Sequence, residues 1–117
     1  MANTLTKMFG RTIIHADTDD GAITLTEMTA TGEGTVTGAN IVEIFYNIPP
    51  TGTIDIDRGG TSVYKLVGNG SGGAHLVGHV DFQSAGIVLR GTNTADIGLT
   101  FTNFTDGLLT LIVHKEH

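Results

Sequence analysis

Residues 52–66, GTIDIDRGGTSVYKL, decide the fold class of this chain. Ile54 and Ile56 fall on one side of an extended segment and Asp55 and Asp57 on the other, the period-two pattern of a strand with one face toward a core. Val63, Tyr64 and Leu66 write a second such run, and Asp57-Arg58-Gly59-Gly60-Thr61 stands between the two. Adjacent glycines can both take positive φ without steric cost, as a two-residue reversal requires, so the stretch is predicted to be a β-hairpin.

Upstream, residues 40–48 make the strongest single strand. Val42, Ile44, Tyr46 and Ile48 share one face and Ile41, Glu43 and Phe45 the other, and Pro49-Pro50 ends the run because neither proline can donate to a ladder. Phe45 is then either an exposed aromatic anchor or part of a second packed layer. Residues 5–14 suggest a first strand bulged at Gly10. Asp17-Thr18-Asp19-Asp20-Gly21 has the composition of a turn, residues 22–31 alternate as a strand (Ile23 and Leu25 against Thr24 and Thr26), and residues 31–40 form a glycine-punctuated loop.

Downstream, GNGSGG at 68–73 is a reversal feeding a strand at 74–82, in which His75, Val77, His79 and Asp81 alternate with Leu76, Gly78, Val80 and Phe82. Residues 86–90, 96–104 and 107–115 complete the series. The last of these contains LLTLIV, apolar on both faces, and is predicted to be central in a sheet or covered by a partner. No stretch carries helical periodicity. The expectation is therefore a single all-β domain spanning residues 1–117, a β-sandwich or jelly-roll-like barrel of about eight antiparallel strands.

Composition narrows the function classes. A chain of 117 residues is long enough for one core and too short for several domains. It has no cysteine, so it has neither disulfides nor a thiolate site. Its net charge is −6 with only six Lys and Arg, which argues against a nucleic-acid partner, because neutralising phosphates takes clustered basic residues. No apolar run reaches the roughly 18 residues of a membrane span, and the first residues lack the long apolar core of a signal peptide, so neither membrane insertion nor export by that route is expected. Charged residues are 15% of the chain, against about 25% in an ordinary soluble domain. So sparse a charged surface suggests that part of it is hidden by self-association.

None of the chemical constellations carries an enzyme. His75, His79 and Asp81 share one strand face, but positions four apart on a strand lie about 13 Å apart, too far for one ion. His79 and Asp81, about 7 Å apart, can chelate only with help from another strand. The turn at 17–21 begins like a calcium loop, yet its twelfth position is Met28 where a bidentate Glu should stand. Asp55 and Asp57 are near enough for paired-carboxylate work but have no pocket to raise one of them in pKa. The GNGSGG loop lacks a Gly-Lys-Ser/Thr ending, and no Gly-x-Ser-x-Gly elbow occurs. The expectation is no catalytic residue, no metal and no cofactor.

The order of elements, with Asp57-Arg58-Gly59-Gly60-Thr61, Val63-Tyr64-Lys65-Leu66, a Gly-rich turn, Gly78-His79-Val80-Asp81-Phe82 and a final apolar strand ending in Lys115, resembles small all-β virion proteins of tailed bacteriophages. The resemblance covers roughly residues 41–115, and the chain departs from the pattern in having no tryptophan in the hairpin region. It implies a capsid decoration or cement subunit that binds the major capsid protein, self-associates and resides in the virion after assembly in the host cytoplasm. A tail or neck component is the alternative within the same particle. A carbohydrate- or receptor-binding module is the alternative from another class, disfavoured by the absence of Trp and by only two Tyr. The expected contact residues are Phe45, the hairpin tip Asp57 and Arg58, and Leu108, Leu111 and Val113 of the last strand.

Overall fold

The computed structural model describes residues 3–18, 21–82 and 93–117. Among these described residues eight strands lie in two antiparallel sheets: β1 (Thr4–Met8), β2 (Arg11–Ala16), β3 (Gly38–Ile48), β4 (Thr53–Arg58), β5 (Thr61–Val67), β6 (Leu76–Asp81), β7 (Ile97–Thr102) and β8 (Leu108–Glu116). The first sheet has the order β1-β2-β8-β3-β6 and the second β5-β4-β7. One core lies between them, with Ile14, Ile44, Leu109, Leu111 and Val113 from the five-stranded sheet against Ile54, Ile56, Ile97 and Leu99 from the other. The all-β sandwich expected from the alternating pattern is what forms. The expected strand at 86–90 lies outside the described residues, as do Asp19 and Asp20 of the acidic turn.

The central hairpin forms as its glycines dictate. Gly59 and Gly60 sit at φ +61° and +93°, and the strands pair from Thr53 with Val67 to Arg58 with Thr61. A bulge after Ile56 leaves Val63 as the extra residue on β5, so that Val63 and Leu66 both enter the core. The proline pair ends β3 as expected, and β8 is central, between β2 and β3.

Three local expectations are corrected. Residues 5–14 are not one bulged strand but the hairpin β1–β2, because Gly10 at φ +79° reverses the chain outright and β1 folds back on β2. The expected strand at 22–31 is instead a single helical turn, α1 (Leu25–Met28). Thr24 Oγ1 accepts from the Glu27 amide at 3.1 Å, and Glu27 Oε1 accepts from the Thr24 amide at 3.0 Å, a reciprocal cap that outweighs the β-branched alternation. In β3 the simple alternation breaks at a bulge between Ile41 and Glu43. Ile41 and Val42 are therefore both buried, while Glu43 and Phe45 remain on the outer face.

Two buried cations tie the layers together. Arg58 follows the parity of Ile54 and Ile56, so its side chain enters the sandwich at its end and is only 6% exposed. There its guanidinium donates to the carbonyls of Ala39 (2.8 Å), Asn93 (2.9 Å) and Ala95 (2.8 and 3.3 Å). Lys115 follows the inward parity of β8 and donates to the carbonyls of Met8 and Met28 and to Glu33 Oε1. Both charges are paired or fully hydrogen-bonded, as burial requires.

Candidate functional site

The outer face of the five-stranded sheet gathers most of the chemically informative side chains. Register sets them in rows. Ile13, Ile112, Glu43 and Asp81 lie side by side across β2, β8, β3 and β6, and the next row is His15, Thr110, Phe45 and His79. A third row runs Leu108, Asn47 and Val77 across β8, β3 and β6. Side chains two apart on a strand share a face and in-register partners nearly touch, so these rows form one continuous surface.

The surface has an apolar half and a polar half. Phe45 is 40% exposed, Leu108 48% and Val77 69%, and with Tyr46, Asn47, Gly78 and Thr110 they line a shallow hollow of about 220 Å³. On the inward side of the same strand pair Gly78 leaves space for Tyr46, because a Cβ there would collide with the Tyr46 ring and hydroxyl. Beside the hollow, the Phe45 ring stacks on the His79 imidazole with centroids 4.4 Å apart and planes 14° from parallel. His79 Nε2 in turn lies 2.8 Å from Glu43 Oε2. Glu43, His79 and Asp81 bring a ring nitrogen and two carboxylates within 4.8 Å of one another. His75 Nδ1 is 2.7 Å from Asn47 Oδ1, His15 Nδ1 is 3.0 Å from Thr110 Oγ1 and His114 Nε2 is 3.0 Å from an Arg11 guanidinium nitrogen, so the remaining imidazoles among the described residues of this face are held by neighbouring strands.

Of the six expected contact residues, the structure brings Phe45 and Leu108 together on this face. Asp57 lies elsewhere, half-buried on the three-stranded sheet, where its Oδ1 accepts from the Gly60 amide at 3.0 Å and closes the hairpin turn. Arg58 is not the exposed rim charge expected at the hairpin tip, because its parity and four hydrogen bonds place it inside. Leu111 and Val113 are likewise removed from contact: both are fully buried in the chain's own core, because β8 is covered by the second sheet. The apolar side chains that β8 turns outward are Leu108 and Ile112. Val77 was missed because its strand reads as polar, and Glu43 was missed as a partner of His79 because only strand register could join them.

A second cluster is structural. The Glu33 side chain, 1% exposed, accepts from Lys115 Nζ, from the Gly10 and Ala30 amides, and stands 2.8 Å from His117 Nε2. Burial by itself would raise its carboxyl, but the hydrogen bonds together hold it at about 2, below the usual 4.5. This ties the last strand to the β1–β2 turn and to the loop after α1, and leaves no lone pair facing a substrate.

Comparison with protein-family models, with curated proteins and with solved structures finds no match to this chain.

Proposed function

We propose that this chain is a virion structural protein, a decoration or cement subunit that docks on the shell of a tailed bacteriophage through the outer face of its five-stranded sheet. The observation that carries the reading is the cluster Phe45, Leu108 and Val77, three large apolar side chains left in water on adjacent rows of one rigid sheet. A binding surface of this kind draws its energy from area removed from water and needs no reactive group, which agrees with a low charge content. The particle is suggested by the resemblance, and the exposed apolar cluster supports this face as the docking surface.

The test is co-sedimentation of the purified chain with shells lacking it, and in parallel with tails. Wild type should pellet with shells, and Phe45→Ser with Leu108→Ser should abolish this while far-UV circular dichroism stays unchanged. Binding to tails alone would transfer the role to a tail component. Binding to neither would end the virion reading.

A further inference from the structure

We propose that Glu43, His79 and Asp81 form a binding site for one divalent transition-metal ion of the Zn²⁺ class. The spacing of His79 and Asp81 along β6 leaves them short of a chelate, and the missing donor comes from the neighbouring strand. The β3–β6 register sets Glu43 directly opposite Asp81 and one row from His79, all three on the outer face. Their donor atoms already lie within 4.8 Å of one another, and His79 Nε2 and Glu43 Oε2 within 2.8 Å. An ion bonded at about 2.0–2.2 Å to nitrogen and oxygen needs donors roughly 3–3.6 Å apart, which rotation of the surface carboxylates supplies.

Three features favour an ion over a bare surface cluster. Glu43 and Asp81 present two carboxylates from directly opposed positions of a strand pair, so an ion between them can be held from both strands at once. Phe45 stacked on His79 fixes the plane of the imidazole, so less rotamer freedom is lost on binding. The donor set itself selects the class, since an imidazole with two carboxylates suits Zn²⁺, Co²⁺ or Ni²⁺, whereas Ca²⁺ and Mg²⁺ prefer oxygen alone. Three protein donors leave a tetrahedral ion one position for water or for a donor from outside. The inference is independent of the virion reading, because it requires no shell.

The full-length chain titrated with Co²⁺ should take up one equivalent with a visible d–d spectrum that Zn²⁺ displaces and a tenfold excess of Mg²⁺ does not. His79→Gln and Glu43→Gln should each weaken uptake by more than about tenfold, a loss that even outer supporting groups of metal sites produce. His75→Gln and His117→Gln should leave it unchanged. As a measurement that needs no variant, substoichiometric Co²⁺ should broaden the His79 imidazole resonances before those of the other histidines. Absence of saturable uptake would overturn the site. So would uptake indifferent to His79→Gln, or broadening that begins at His15, His75, His114 or His117.

Discussion

Lys115 Nζ lies 2.6 Å from Glu33 Oε1, with both side chains withdrawn from water and the two residues 82 positions apart in the chain. The pair closes the structure on itself, because Lys115 sits on the last strand and Glu33 accepts from the amides of Gly10 and Ala30. Folding therefore binds the charged form of Glu33 more strongly than the unfolded chain does. With a folded pKa of about 2 against an ordinary 4.5, this contribution is complete above pH 4.5 and disappears as pH falls toward 2. Thermal unfolding followed from pH 7 to pH 2 should show the wild-type midpoint falling through that window. Glu33→Gln should start lower at pH 7 and fall less, and parallel curves would show that Glu33 does not carry the acid sensitivity.

Removing the cation exposes the same relationship from the other side. Lys115→Met keeps the volume of the stem but leaves Glu33 buried without the Lys115 charge and takes a donor from the Met8 and Met28 carbonyls, of which Met28 keeps Thr12 Oγ1 at 2.7 Å. The midpoint should drop by about 10 °C or more, since breaking one side of a buried pair costs more than the pair itself contributes. Differential scanning calorimetry at neutral pH measures it.

Arg58 tests the link between the sheets. Its guanidinium satisfies the carbonyls of Ala39 on β3 and of Asn93 and Ala95 before β7, so Arg58→Ala takes this donor from the Ala39 and Ala95 carbonyls, while the Asn93 carbonyl keeps the Ala39 amide at 2.9 Å. The cost should be about 2–4 kcal/mol in urea unfolding, the range for unsatisfied buried groups. Arg58→Lys should recover only part of it, because an ammonium cannot reproduce the planar fork. A loss below about 0.5 kcal/mol would mean that the guanidinium is solvated after all.

The crossing between sheets after β5 depends on a glycine for space. A Cβ on Gly68 would strike the carbonyl oxygens of Pro49 and Pro50, which are backbone atoms held by the Gly52 and Gly70 amides. Gly68→Ala should cost about 2 kcal/mol, whereas Gly73→Ala, which would meet the Asn69 Cβ and the Gly70 carbonyl oxygen at 3.2 Å, should cost less. Equal losses at the two positions would show that the loop yields freely.

Alternation and turn chemistry are local properties, and they were enough to read β3, the β4–β5 hairpin, β8 and the two-sheet class from the residues alone. The same parity that put Ile54 and Ile56 in the core also sends Arg58 there. A charge beside two glycines nevertheless reads as a surface tip, because nothing local reveals that the Ala39, Asn93 and Ala95 carbonyls converge on it. Leu111 and Val113 read as surplus apolar surface for the same reason, until the three-stranded sheet is seen to cover them. The helical turn at Leu25–Met28 was legible in Thr24 and Glu27, although the alternation around them pointed to a strand. Pairing between distant strands is what sequence spacing cannot express. Only the β3–β6 register brings Glu43 to His79 and Asp81, and only the β3–β8 and β3–β6 registers set Phe45, Leu108 and Val77 side by side in water.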